Sequence, residues 1–393
     1  MPTNPNEHPS VAIKELQKTE GTDEEFETVV ETEVETLEML RKLDHTHLIK
    51  AIAYYKKGGK HYVMFPWANR GNLRDFWNKD PPTLDTEYLK WAFTQFCGLA
   101  EAIKELHHAH RDQHWRHGDL KPENILCFEE AGPPNSVGTG SCTLVIADVG
   151  LSKSHKNLTE ARIEATRTRS GTIMYEPPET EMLPDRPRSR RYDIWSMGCI
   201  YLEFVIWLLY GAAGLKQFRE DLRTTAMGGS IKFYVMDASQ QTAQLSNAVQ
   251  KWIEHIQNDP RCPIDTTLHK IVELVVTKLL VAEEDGRLGL TRADSAHDDD
   301  KPDVEVPSTP TIFIRSATIH FDAVDDSYSS SRAKAWEMHA AIKQILDYAT
   351  DEKIHWMNFD ASVQKGPGLY AKNLAVSDAI STGRRSAGKE VRY

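Results

Sequence analysis

Two short segments constrain this chain more than anything else in it. Arg116 to Leu126 reads RHGDLKPENIL, and twenty residues later Ile146 to Leu151 reads IADVGL. Three further fragments keep a fixed order around them: VAIK at Val11 to Lys14 upstream, then Gly171-Thr172 with YEPPE at Tyr175 to Glu179, then DIWSMG at Asp193 to Gly198. VAIK alone is an ordinary strand ending in lysine and carries little weight. HGDLKPEN is far more specific, and five fragments in one order leave little room for chance. Asp119 and Asn124 stand five residues apart, so a single loop can present both.

Between these fragments the pattern mixes strands and helices. Val11 to Leu16, Leu48 to Tyr55 and Lys60 to Phe65 are strand candidates, with Gly58-Gly59 as a turn signal. Thr22 with Glu25 three residues later makes a capping box that opens a helix to about Leu43. At helical spacing Phe26, Val30, Glu33, Leu37 and Leu40 share one stripe, while Glu31, Glu35 and Glu38 point away. Glu33 is thus a carboxylate within an apolar face, a costly placement unless a buried cation meets it. Glu87 to His107 reads as a long core helix through Leu89, Phe93, Phe96, Leu99, Ala100, Ile103 and Leu106. Glu129 to Ser141 reads as a loop, and Leu144 to Ala147 as the strand after it.

Past residue 294 the composition turns to DSAHDDDKPDVEVPSTP, an acidic, proline-containing linker. Thr311 to Phe321 is a strand or hairpin candidate. Ser331 to Ala349 carries Trp336, Ala340, Ile342, Ile345 and Leu346 at roughly helical intervals, which predicts a helix docked on the large lobe or on a protein partner. The final twenty or so residues read as disordered.

Bulk properties exclude several classes. A formal net charge of −11 argues against nucleic acid or an anionic membrane surface as a main partner. Five scattered cysteines, Cys97, Cys127, Cys142, Cys199 and Cys262, form no CxxC pair, which points to neither a disulfide framework nor zinc. His107, His108, His110, His114 and His117 invite a metal reading, but no carboxylate or cysteine completes a site. Cys199 to Leu215 is the one membrane-like stretch; it carries Glu203 and falls short of the ~20 apolar residues of a bilayer span, so a buried core helix is expected and no membrane insertion. The amino terminus lacks the apolar run of a secretory signal, so a cytoplasmic or nuclear location is expected.

The ordered fragments resemble the eukaryotic-type protein kinases over residues 11 to 294. HGDLKPEN is similar to their catalytic loop, with Gly118 where arginine is usual, and ADVG to their magnesium-binding DFG motif, with Val149 where phenylalanine is usual. Lys-Pro-Glu in that loop is the sequence this family uses with Ser and Thr substrates. The resemblance implies a bilobal α+β fold with a truncated amino-terminal lobe: residues 1–65 as a partial small lobe, 66–294 as the large lobe, and 295–393 as linker and tail. It also implies phosphoryl transfer from ATP, with Mg2+, to Ser or Thr hydroxyls of proteins. By the same resemblance Lys14 holds the α and β phosphates and Glu33 orients it, Asp148 and Asn124 hold magnesium, Asp119 accepts the hydroxyl proton, and Lys121 neutralises the γ phosphate. Phe65 backs the adenine pocket, and the Pro66 carbonyl and Ala68 N–H lie at its hinge. Glu179 is expected to pair with Arg287, and Asp193 to pin the catalytic loop.

One departure stands out. The family's GxGxxG hairpin precedes the phosphate lysine, whereas the ten residues before Val11 contain no glycine. Two readings stay open: an active kinase, expected here to bind Mg-ATP weakly and transfer phosphate slowly, or a pseudokinase acting as a binding scaffold. Gly118 also removes the cation that grips a phosphorylated activation loop, so any activity is expected to depend little on phosphate at Thr166, Thr168 or Ser170.

Overall fold

A computed structural model describes residues 10–16, 22–108, 116–129, 142–149, 173–182, 188–226, 229–237, 242–282, 313–315, 318–320, 332–363 and 366–367. The small lobe is an antiparallel sheet of order β1-β3-β2, formed by Val11–Leu16, Ala53–Lys57 and Lys60–Pro66, with helix α1 (Asp23–Leu43) against it. Gly58 and Gly59, both at positive φ, make the β2–β3 turn that the sequence signals. Lys14 lies opposite Val63 in the β1–β3 register, and Ala12 opposite Phe65. Val30, Glu33, Leu37 and Leu40 of α1 are all buried, so the helical stripe with its embedded carboxylate is real.

Leu48 to Tyr55 is not one strand. Leu48 instead forms a parallel bridge with Ile146. Ile49 N–H donates to Ile146 O at 2.9 Å, and Ile146 N–H to His47 O at 2.9 Å. This stretch therefore ties the small lobe to the large one, and β2 starts only at Ala53. The tie is close because α3 (Thr86–His108) has Gly98 beneath it: a Cβ there would sit 2.1 Å from His47 Nε2.

The large lobe is built on α3 and on α5 (Arg191–Thr225), whose helical path breaks at Gly211. Short helices α2 (Leu73–Phe76) and α4 (Glu179–Met182), the β4–β5 pair (Ile125–Glu129 with Cys142–Ile146) and a β6–β7 hairpin (Tyr234–Asp237 with Thr242–Leu245) flank them. Helices α6 (Asn247–Gln257) and α7 (Thr267–Leu274) complete the far side, each capped by a hydroxyl, Ser246 and Thr266. Phe93, Phe96, Tyr201, Phe204, Trp77 and Trp207 form an aromatic centre between α3 and α5. The stretch of α5 that is long and apolar enough to cross a membrane is largely spent in this core. All five cysteines are free thiols.

Residues past 294 also pack on the large-lobe helices. Beyond the small β8–β9 hairpin (Phe313–Arg315, Thr318–His320), the chain re-enters the core at Arg332 and forms α8 (Ala335–Thr350) along α3. Met338, Ala341, Ile342 and Ile345 are its buried face, while Trp336, expected on that face, is 44% exposed. The loop expected over 129–141 and the final residues lie outside the described residues, apart from Glu129 at the end of β4.

Candidate active site

The site lies where the sheet, α1, the segment after α3 and the end of β5 converge. Lys14 Nζ stands 3.5 Å from Glu33 Oε1 and 2.7 Å from Asp148 Oδ1. Burial alone would depress the Lys14 pKa, but the carboxylates of Asp148 and Glu33 outweigh it and hold the ammonium above its ordinary value. Burial would likewise raise Asp148, yet Lys14 beside it keeps the carboxyl below the usual range. Both groups are therefore charged at neutral pH. The cation that the α1 stripe requires is Lys14.

The loop after α3 presents the second group. Lys121 Nζ donates to Asp119 Oδ2 at 2.8 Å, and Asn124 Nδ2 donates to Asp119 O at 2.8 Å and to its Oδ2 at 3.2 Å. A single 3₁₀ turn, Pro122–Asn124, brings the amide back over Asp119. Asn124 O then accepts from Ala147 N–H at 2.8 Å, which fixes the loop to the residue before Asp148. His117 makes a second link. Its Nε2 lies 2.8 Å from Ala147 O while its Nδ1 accepts from Asp119 N–H at 3.2 Å, so the proton is on Nε2. Asp148 itself has φ +62, a left-handed conformation that aspartate tolerates better than most residues, and such local strain concentrates at active sites.

Gly118 explains its own departure from the usual arginine. Its φ is +74, and its N–H donates to Asp193 Oδ1 at 2.8 Å. The turn demands a left-handed residue, which glycine supplies without a steric cost. Gly118→Ala is therefore expected to lower stability by about 1–2 kcal/mol. An unchanged urea midpoint in the variant would contradict this.

Three residues outside the expected set complete the frame. His107, read above only as one of a histidine run, places Nε2 2.9 Å from Asp193 Oδ2. Its position four residues past Ile103 on the buried face of α3 is a signal the sequence carries. Arg74 of α2 bridges the loop after α3 and the segment at 173–182: Nε donates to Glu123 at 2.8 Å and Nη2 to Tyr175 Oη at 2.7 Å. Tyr175 in turn donates to Glu203 at 2.6 Å, and Arg219 meets the same carboxylate at 2.8 Å. Glu203 is fully buried, yet Arg219 and Arg74 outweigh the burial and hold it below the usual carboxylate range. The third is Arg332. It meets Glu179 with contacts at 2.6 and 3.0 Å, while Arg287, the expected partner of Glu179, lies outside the described residues.

At the hinge, Phe65 sits opposite Ala12, and β3 ends at Pro66, opposite Val11. Ala68 O accepts from Gly71 N–H at 3.1 Å, closing the turn that follows. Val63, the rung facing Lys14, is three residues before Pro66, about 10 Å along the strand. Thr166, Thr168, Ser170, His110 and His114 lie outside the described residues. Among the described residues no group of three His, Cys, Asp or Glu side chains could hold a metal ion by itself.

The two-lobed α+β architecture with its ordered acidic groups is that of a protein kinase domain. Residues 3–293 match the family model described as protein kinase domain, and the chain belongs to that family. It is 32% identical to serine/threonine-protein kinase 16 of Homo sapiens over 174 residues, which cover 42% of this chain and 52% of that one. It is 26% identical to the Aurora kinase of Schizosaccharomyces pombe over 196 residues, 50% of this chain and 47% of the relative. It is 29% identical to cyclin-dependent kinase-like 5 of Mus musculus over 193 residues, 49% of this chain and 18% of the relative. The chain thus spans about half or less of the length of these relatives.

Proposed function

We propose that the chain is a Ser/Thr protein kinase that moves the γ phosphate of ATP to Ser or Thr hydroxyls of protein substrates. The observation that carries this reading is the convergence of Lys14, Glu33 and Asp148 at 3.5 and 2.7 Å, beside a loop that holds Asp119, Lys121 and Asn124 together. Phosphoryl transfer asks mainly for positioning and for neutralisation of phosphate charge, and this set does both. Lys14, steadied by Glu33, contacts the α and β phosphates. Asp119 aims the acceptor hydroxyl and takes its proton, and Lys121, already on Asp119, reaches the γ phosphate. Phe65 walls the adenine pocket, while the Pro66 carbonyl and the Ala68 N–H read the adenine edge.

Asp148 and Asn124 offer hard oxygen donors, which suit Mg2+, and the ion would neutralise phosphate charge there. With Nδ2 of Asn124 turned to Asp119, its Oδ1 is the atom for that contact.

A second reading, a nucleotide-binding scaffold with little turnover, draws on Lys14 lying nearer Asp148 than Glu33. Nucleotide titration and transfer of labelled phosphate to a Ser/Thr peptide mixture separate the two. Asp119→Asn is expected to slow transfer at least ~100-fold while leaving nucleotide binding in place. Transfer at the same rate in that variant would overturn the kinase reading, and binding without transfer in the unaltered chain would favour the scaffold.

A further inference from the structure

Lys14 meets Glu33 only while α1 keeps its place over the sheet, and a separate cluster holds one end of that helix. His61 of β3 is 2% exposed and lies on the same sheet face as Val63, the partner of Lys14. Its ring stacks on Tyr54 at 5.9 Å and meets Phe26 of α1 edge-on at 5.7 Å. Its Nδ1 is in hydrogen-bond contact with the Tyr54 hydroxyl. Its Nε2 lies 3.3 Å from Glu27 Oε1, within ion-pair range but off the line of a hydrogen bond. With Tyr54 donating to Nδ1, the ring proton is on Nε2 and faces the carboxylate. Lys56, opposite His61 in the β2–β3 register, donates to the same Glu27 oxygen at 2.8 Å.

We propose that Glu27, His61 and Lys56 form a latch that sets the position of α1 and thereby directs Glu33 to Lys14, which makes Glu27 and His61 positioning residues for phosphoryl transfer. The proposal rests on the kinase reading above. Glu27 and Glu33 are six residues apart, about 9 Å of helix. His61 and Val63 are two residues apart, about 7 Å of strand. Latch and ion pair are thus neighbouring rungs between one helix and one sheet. Lys14 has two carboxylates within reach, and the longer contact, 3.5 Å against 2.7 Å, is the one to the helix. A helix fixed at both rungs holds Glu33 to that contact. Fixed at Glu33 alone, it can swing out, and Lys14 then passes wholly to Asp148. Lys56 keeps the Glu27 carboxyl below its usual range, so the latch is charged at neutral pH.

The test uses the full chain with Glu27→Gln, a shape-preserving change at a half-exposed side chain, and His61→Phe, which keeps the ring contacts. Hydrogen exchange across residues 29–43 reads the position of α1 directly, and kcat against peptide KM reads its consequence. Both variants are expected to speed exchange in α1 and lower kcat about threefold to fivefold with KM unchanged, the scale of a partly exposed ion pair. In a Glu33→Gln background the same changes are expected to add no further loss, because the latch acts through Glu33. Unaltered exchange in both variants, or losses that simply add to Glu33→Gln, would sink the latch. If the unaltered chain transferred no phosphate, the kinase reading would fail while the exchange measurement still decided the position of α1.

Discussion

Cutting the chain after residue 294 is expected to leave a fragment that does not fold, whereas excising 283–331 and joining Ala282 to Arg332 through a short flexible linker is expected to preserve the fold. The ends of that stretch already touch. Arg332 Nε donates to Val281 O at 3.0 Å, and Ala333 N–H donates to Lys278 O at 2.8 Å. The cut removes Arg332, a fully buried cation that binds Glu179, donates to Arg191 O at 2.9 Å and lies 5.1 Å over the Trp195 ring. Removing one member of a buried ion pair costs about 3–5 kcal/mol. The cut also strips Met338, Ile342, Ile345 and Trp356 from the core, at roughly 1.5–3 kcal/mol each. The sum is on the order of 10 kcal/mol, comparable with the whole stability of a domain. Circular dichroism melts of both variants check this: cooperative unfolding of the 1–294 fragment would refute it. The corresponding domain proposal is that 332–363 belongs to the large lobe and that 283–331 is an insertion in it.

What the sequence made legible and what it hid follow from the range of each interaction. β1, α1 and α3 were readable because period and capping are local, and Glu33 announced its missing cation by interrupting an apolar stripe. The clustering of Asp119, Lys121 and Asn124 was readable because these residues interact within five positions. Leu48 to Ile49 looked like part of a strand because a parallel bridge to Ile146, about a hundred residues away, leaves no local mark. The contact of Arg332 with Glu179 was hidden for the same reason: the two residues lie 153 positions apart, and only tertiary packing brings them together. In α8 the periodicity was right but the face was rotated, since Trp336 points outward while Ala341 takes a core position on α3. His107 was the avoidable miss. A histidine on the buried side of a core helix needs a polar partner, and here the partner is the Asp193 carboxylate, 86 residues further along the chain.

Replacing that carboxylate is expected to have the second large effect. Asp193 is fully buried at the start of α5, and its two oxygens accept from His117 N–H at 2.7 Å, Gly118 N–H at 2.8 Å and, at 2.9 Å, His107 Nε2. These bonds hold Gly118 at its positive φ, so they also aim Asp119. An asparagine can accept with only one oxygen and turns an N–H2 group toward the remaining donors. Asp193→Asn is therefore expected to cost roughly 3–5 kcal/mol, because donors are left buried without acceptors. Burial would raise the Asp193 pKa, but the hydrogen bond from His107 and the charges and N–H groups around it prevail, and the carboxyl lies below its ordinary range. The sign follows from linkage. A carboxyl with a depressed folded pKa contributes fully above its unfolded value of about 3.9, and that contribution is lost as pH falls through the folded value. The stability gap between the unaltered chain and Asp193→Asn should thus be constant from neutral pH down to about pH 4 and narrow below it. Urea titrations at a series of pH values measure that gap directly. A gap that stayed the same to the lowest pH at which both proteins fold would mean that Asp193 is not the ionised anchor of the loop around Gly118.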